Sequence, residues 1–354
     1  MAKSKANTPA ALGFRMPAEW HPHESTWLTW PKDPETWPDR VTHVEEIYLK
    51  MIFALLPHET VNLLVDDEET EQQVRARCDS PARLRFHRIE TVDSWIRDYG
   101  PNFLIGPGGE VAFNDWIFNA WGNKYEELKK DDGIPLQLES LLRLRRFSPG
   151  IVMEGGSIEV NGAGCVLTTE QCLLNPNRNP QLSRTEIEQY LKDYLGVTKV
   201  LWLGEGIVGD DTDGHIDDIA RFVAPNAIVC ALEDDPLDAN YEPLQENLKR
   251  LKQMTDANGR PFEIITLPMP GIVGGTSTST RDLDRLPASY ANFYIANNVV
   301  LLPVFGHAND ARAIETLQQV FPDRRVIPIN CEPLVWGMGT IHCVSQQQPR
   351  ISAD

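Results

Sequence analysis

An α/β fold, with hairpins set among its helix–strand units, is predicted by three observations. A stretch with helical periodicity, a short apolar strand and a Gly-containing loop recur in that order along the 354 residues. Two further segments, "IEVNGAGCVLTT" and "NFYIANNVVLLPVF", place turn residues between β-rich runs and read as hairpins, the first around Asn161-Gly162 and the second around Asn297-Asn298. No low-complexity linker or composition break divides the chain. Simple βαβ alternation would give one continuous parallel sheet, whereas added hairpins point to separate mixed sheets. About five such modules fit the length, alike in structure and not as a readable repeat.

Helices are expected over Arg40 to Leu56, Glu68 to Cys78, Leu136 to Arg146, Ser183 to Leu195, Asn240 to Asn258 and Asn309 to Phe321, where apolar residues recur at helical spacing. The answering strands are "VNLLV" from Val61, "LRFHRI" from Leu84, "GIVM" from Gly150, "KVLWL" from Lys199, "FEIITL" from Phe262 and "RVIPI" from Arg325. Residues 1–12 hold two lysines and no apolar run of signal-peptide type, so they read as a flexible tail ahead of a single domain, 13–354.

Composition narrows the function classes. Hydrophobic residues make up 42% and charged ones 24%, a globular balance, and no apolar run is long enough to span a bilayer. The formal charge of -18 disfavours nucleic acid and anionic membranes and is compatible with a small cationic ligand. Six cysteines (Cys78, Cys165, Cys172, Cys230, Cys331, Cys343) form no CxxC pair, so reduced thiols and no structural metal are expected, in a cytoplasmic protein.

Four Gly-flanked loops hold most of the reactive groups. "ETVDSWIRDYGPN" carries Asp93, Trp95 and Asp98; "VMEGGSIEV" carries Glu154; "GDDTDGHIDDIARF" carries His215 and Asp217 among further acids; "GMGTIHCVSQQQP" carries Cys343. Asp98, His215 and Cys343 each lie some way beyond a strand, so equivalent loops of successive modules would converge on one point. Bland readings stand beside this one: Asp98 next to Arg97 as a solvated charge, Glu154 as a turn cap, His215 as a satisfied core histidine, and Cys343 as a buried hydrophobe. The five acids Asp210, Asp211, Asp213, Asp217 and Asp218 could be an exposed loop, but at such density they repel one another unless a cation neutralises them. His342 is not expected to serve Cys343, because adjacent side chains of an extended chain face opposite ways. The polar "SQQQ" does not read as a core strand, and the glycines beside Cys343 suggest close approach by a ligand.

One thiol, one imidazole and several carboxylates suit a guanidinium substrate. Paired carboxylates grip that planar cation, a thiolate attacks its central carbon, and the histidine first donates a proton to the departing ammonia and then takes one from water.

The motifs "MPAEWHPHESTWLTWP", "DSWIRDYGP", "EGGSIEVNG", "GDDTDGHIDDIARF", "SYANFYIANNVVLLP" and "GTIHCVSQQQP" resemble the agmatine deiminase and bacterial peptidylarginine deiminase family, from about Gly13 to Pro349. The resemblance implies the guanidine-modifying superfamily's five-bladed α/β propeller, the pentein fold, built from ββαβ modules around a central active site. It makes Cys343 the nucleophile, His215 the general acid/base, Asp98 and Asp217 the guanidinium carboxylates, and Glu154 the acid that orients imidazole or substrate. Trp95 and Gly339 would line the substrate site, with no metal and no cofactor. "GMGT" departs from the glycine-rich run expected there, with Met338 and Thr340 in place of glycines. Within the family, the acids around Asp211 favour agmatine, whose distal amine Asp211 would bind, over arginine with its α-carboxylate; the product would be N-carbamoylputrescine, a step towards putrescine. A peptidyl-arginine substrate is the alternative, and a homo-oligomer is compatible with the sequence.

Two rivals remain. "DGHID" at Asp213 to Asp217, with "DLD" at Asp282 to Asp284, has the acid–histidine spacing of a manganese ureohydrolase that would release urea. A non-catalytic polyamine-binding protein would use the acids and Trp faces as a cation cage.

Overall fold

Strand pairing in the computed structural model, which describes residues 7–78, 82–274 and 285–351, falls into five separate small sheets. Four repeat one plan, an antiparallel hairpin followed by a helical crossover to a parallel third strand. They are β4–β6 (Asn102–Ile105, Val111–Asn114, Arg145–Phe147), β7–β9 (Glu159–Val160, Cys165–Thr169, Lys199–Leu203), β10–β12 (Ala220–Ala224, Ala227–Leu232, Glu263–Pro268) and β13–β15 (Tyr294–Ile295, Val299–Val304, Arg325–Asn330). The remaining sheet takes β1 (His23–Thr29), β2 (Thr60–Val65) and β3 (Leu84–Arg88), all parallel, and completes the plan with β16 (Ser345–Pro349), antiparallel to β1. A C-terminal strand thus closes the N-terminal sheet, giving a five-bladed α/β propeller whose blades are separate, as the interleaved hairpins require.

Local chemistry sets most boundaries. Helix Val41–Leu55 buries Val44, Ile47, Tyr48, Met51, Ile52 and Leu55, one apolar stripe at helical spacing. Helix Arg184–Leu195 starts in a capping box between Ser183 and Glu186 and stops at Gly196, whose φ of 66 is left-handed. The β7–β8 turn is tied by Asn161, whose side chain accepts from the backbone N–H groups of Ala163 and Cys165. β2 and β14 (Val299–Val304), buried except at one end residue each, read as near-continuous apolar runs because both faces are covered.

Several expectations shift. The helix placed over Leu136 to Arg146 spans Ile134–Leu142, because Arg143 turns left-handed (φ 54) and Arg145–Phe147 pairs with β5. "GIVM" is therefore no strand; Val152 makes a lone bridge to Ile117. The Asn240 helix ends at Gln253, not Asn258, since Asp256 folds the next turn by accepting from the N–H groups of Asn258 and Arg260. "SQQQ" is β16, buried against β1. Of residues 1–12, 1–6 lie outside the described residues, while Ala10–Leu12 form a 3-10 turn, followed by Met16 N–H bonding to Leu195 O at 2.9 Å. No helix among the described residues is long and apolar enough to cross a membrane.

Candidate active site

The loop that follows the last strand of each blade runs to a common centre. After β3 comes Asp98, after β6 Glu154, after β9 His215 and Asp217, after β12 Asn292, and after β15 Cys343. Four of these loops are legible in the sequence, and the β12–β13 loop is the one missed. Asn292 falls within the motif "SYANFYIANNVVLLP", and the count of modules predicts a fifth loop for that blade, but no reactive group there singles it out.

Asn292 holds the thiol. Its Nδ2 donates to Cys343 Sγ at 3.2 Å and to Asp218 Oδ1 at 3.1 Å. The amide is fixed that way round because its Oδ1 accepts from Thr340 Oγ1 at 2.7 Å and from the His342 N–H at 3.0 Å. Thr340, noted above as standing where glycine was expected, therefore locks the thiol's partner. Met338, the other such position, keeps a glycine-like φ of 73. Cys343 is 7% exposed, and its thiol is pushed well above the ordinary range, first by burial and then by the carboxylates of Asp217, Asp218 and Asp98.

Asp98 is buried in a short helical turn, Ile96–Tyr99, with Oδ2 accepting from Trp121 Nε1 at 2.9 Å and Oδ1 from the Gly156 N–H at 2.9 Å. His215 Nδ1 stands 3.8 Å from the same Oδ1. Burial works to lower the His215 pKa, but Asp98, Cys172 and Asp217 outweigh it and hold the imidazole well above its usual value. Burial, helped by Asp217 and Glu154, raises the Asp98 carboxyl. Burial would also raise Asp217, yet the hydrogen bond from His342 and the charges around it bring it below the usual range. Three buried polar atoms at this centre, Glu154 Oε2, His215 Nε2 and Asp217 Oδ1, have no hydrogen-bond partner among the described residues.

Gly156 packs into this group. A Cβ there would lie 2.6 Å from His215 Nδ1, 2.9 Å from Asp98 Oδ1 and 3.1 Å from Asp217 Oδ2; one at Gly155 would meet Arg97 O at 2.0 Å. The paired glycines let the Glu154 loop enter between the carboxylates, which the sequence signals only as a turn.

Above the thiol opens a cavity of about 570 Å³ whose walls include Trp95, Trp121, Met338 and Gly339. A Cβ on Gly339 would stand 2.6 Å from the Trp95 ring and 3.2 Å from Cys343 Sγ, so the close approach expected of this glycine is to the tryptophan and the thiol. Trp95 is oriented by donating Nε1–H to Asp93 Oδ2 at 2.9 Å, and Trp121 by its bond to Asp98. Ala120, Trp121, Gly122 and Asn123 all have positive φ, backbone strain that presents the Trp121 ring to the site.

The acidic loop is mostly neutralised from within. Asp210 bonds the N–H groups of Thr212, Gly214 and His215; Asp213 pairs with Arg178 at 2.6 Å and Lys124 at 3.0 Å; Asp211, on the cavity wall, is met by Lys124 and Tyr125. The cations that settle this loop's outer acids are the protein's own, brought by other loops. Asp213 is therefore not a partner of His215 in a metal set, and the "DLD" that would complete a ureohydrolase lies outside the described residues.

Behind the centre, His342 hydrogen-bonds Asp217 Oδ2 through Nδ1 (2.7 Å) and Glu19 Oε2 through Nε2 (2.8 Å), so both ring nitrogens serve carboxylates. Residues 341–344 form a turn and not an extended chain, which corrects the ground given for setting His342 aside. Glu19 is tied in turn to the fully buried Arg221. The glutamines are anchors: Arg97 Nη1 donates to Gln346 and Gln347, and Trp27 Nε1 to Gln348 at 2.9 Å. Arg97 is thus a buried clamp between the Asp98 loop and β16, not a solvated neighbour.

Residues 15–349 match the family described as Porphyromonas-type peptidyl-arginine deiminase. The chain belongs to that family. Among its relatives, the agmatine deiminases of Ectopseudomonas mendocina and Medicago truncatula are each 39% identical, over 97% and 98% of this chain and 97% and 99% of their own. The Enterococcus faecalis agmatine deiminase structure superposes with a TM-score of 0.91 at 37% identity, covering 99% of both chains. A Cys-to-Ser variant of the C. jejuni agmatine deiminase, solved with substrate bound, gives 0.85 at 30% identity, covering 96% of each. A dimethylarginine dimethylaminohydrolase, 13% identical with a TM-score of 0.53, shares the fold with this family member.

Proposed function

We propose that this chain is an agmatine deiminase, hydrolysing agmatine to N-carbamoylputrescine and ammonia in the cytoplasm. The observation that carries the substrate is the charge of the cavity. Seven carboxylate residues line it, Asp33, Asp93, Asp98 and Asp211 among them, against one cation, Lys124, which is already paired with Asp211 and Asp213. Among the described residues an arginine α-carboxylate would meet no free positive group on this wall, whereas a distal ammonium is favoured. Asp211 is the acid we assign to that ammonium.

The guanidinium would lie against Trp95 and Trp121, bound by Asp98 and by the unpartnered Asp217 Oδ1. Burial and three carboxylates keep Cys343 protonated, and two of those carboxylates are the ones this cation neutralises, so the thiol releases its proton to solvent as substrate arrives and the thiolate forms. It adds to the central carbon. His215, held protonated by Asp98, Cys172 and Asp217, gives its proton to the departing nitrogen, releasing ammonia and leaving an S-linked thiouronium. The now neutral imidazole takes a proton from water, whose oxygen attacks the same carbon, and the C–S bond breaks to free the ureido product. Glu154, fixed by Arg178 Nε at 2.6 Å, keeps its second oxygen for imidazole or substrate.

The test is a substrate panel of agmatine, arginine, a blocked arginine peptide and a longer aminoalkylguanidine, scored for ammonia and ureido product. Agmatine should be turned over fastest by kcat/KM. Preference for the blocked peptide would make the chain a peptidyl-arginine deiminase, and urea in place of ammonia would overturn the thiol mechanism.

A further inference from the structure

Cys172 touches no substrate in the chemistry above and acts there only by helping to hold His215 protonated, yet it lies in the middle of the site. It is fully buried on the short helix Glu170–Leu173, which Thr169 caps. One ligand atom from each of Glu154, Cys172 and His215 lies within 4.8 Å of the other two, the one such three-residue group among the described residues. In two of these residues a side-chain atom, Glu154 Oε2 and His215 Nε2, is buried with no hydrogen-bond partner of good geometry among the described residues, although the Cys172 thiol lies close enough to the imidazole to raise its pKa. Unsatisfied buried polar atoms are costly and rare, and a pair of them beside a thiol is an unusual expenditure unless a third species meets both. Neighbouring Arg178 neutralises the other oxygen of Glu154 without covering Oε2.

We propose that Glu154, Cys172 and His215 form an inhibitory site for a thiophilic divalent cation of the zinc class. One carboxylate oxygen, one thiolate and one imidazole nitrogen make a mixed set that suits zinc or cobalt and is a poor one for magnesium or calcium, which favour all-oxygen shells. Zinc–ligand distances of about 2.0–2.3 Å would draw the three atoms inward by rotation of the Glu154 and Cys172 side chains, leaving a fourth position for water. Binding forms the Zn–S, Zn–N and Zn–O contacts and expels the thiol proton to solvent; no electrons are transferred. It occupies the imidazole nitrogen and the carboxylate oxygen that turnover needs. The inhibitory consequence rests on the deiminase reading; the binding itself does not.

Cobalt(II) is the probe, because a cobalt–thiolate bond gives a near-ultraviolet charge-transfer band whether or not the enzyme turns over. The full-length protein and its Cys343→Ser variant should both show the band, saturating at one equivalent. Cys172→Ala and, with the thiol intact, Glu154→Gln should lose or weaken it; the second variant guards against a folding defect in the first. Zinc should silence ammonia release by the wild type, and Cys172→Ala should need at least about 100-fold more zinc, the upper end of what losing even an outer partner of a metal ligand costs. A band that survives Cys172→Ala and vanishes in Cys343→Ser would place the metal on the nucleophile and overturn the proposal, as would a wild type without a band. A band with no inhibition would leave the site standing and sink the deiminase role of His215.

Discussion

Gly156→Ala is a small change with a worked consequence. The new Cβ would stand 2.6 Å from His215 Nδ1 where ordinary contact begins at 3.4 Å, so the ring must retreat by 0.8 Å; Asp98 Oδ1, at 2.9 Å, must give by 0.5 Å. In the proposed mechanism both atoms belong to groups that act on the guanidinium, and a misplacement near 1 Å costs on the order of 100-fold in rate. We expect kcat/KM to fall about 100-fold, equivalent to about 2.7 kcal/mol of transition-state stabilisation. Gly156 is not among the positive-φ glycines, so alanine meets no backbone penalty there and the loss is one of position. Gly108→Ala is the control: its φ of 65 is left-handed with nothing within 4 Å, so it should cost about 1 kcal/mol of stability and leave activity unchanged. The assay is ammonia release with agmatine, alongside thermal unfolding of both variants. A folded Gly156→Ala enzyme within fivefold of wild type would refute the claim that the glycine sets the geometry of His215 and Asp98.

Two further outcomes follow from the thiol and its surroundings. In the free enzyme burial, and after it the nearby carboxylates, keep Cys343 protonated, so its alkylation by iodoacetamide should stay slow through neutral pH and accelerate only above the ordinary cysteine range. Asn292→Ala, which removes the amide donor to Sγ, should move that profile higher still and lower kcat about 10- to 100-fold, the worth of a hydrogen bond to a charged group; an unshifted profile would show that the amide does not serve the thiolate. Trp121→Phe keeps a ring but loses the N–H to Asp98, and should lower kcat/KM about tenfold with agmatine, checked by steady-state kinetics.

What the sequence made legible was whatever depends on neighbours along the chain. The capping box at Ser183 and the Asn-Gly hairpin sit where local rules put them, and three of the four reactive loops follow expected strands, the Glu154 loop instead following Arg145–Phe147. Less legible were features decided by distant partners. "SQQQ" is polar, yet it is a buried strand because Arg97 and Trp27 satisfy its amides from other elements. Arg145 and Arg146 continue a helical pattern, yet they form a strand once β5 offers an open edge. Asn292 could have been sought by demanding a fifth loop, but its contact with Sγ exists only when β12–β13 and β15–β16 meet.

The acidic loop shows how such distant partners change a charge argument. Counting five acids in nine residues suggests that a visiting cation must neutralise the loop. Arg178 and Lys124 already do so for Asp213, and backbone amides hold Asp210. The demand for an outside cation survives further in, at Asp217 Oδ1 and Glu154 Oε2, oxygens that no donor among the described residues reaches. A few unmatched atoms in a low-dielectric centre would select a guanidinium more sharply than the loop's total charge could, because a flat cation with several N–H groups can reach more than one of them at once. It follows that removing Asp211 from the wall should weaken capture of the distal amine, while replacing Asp217 should abolish the chemistry.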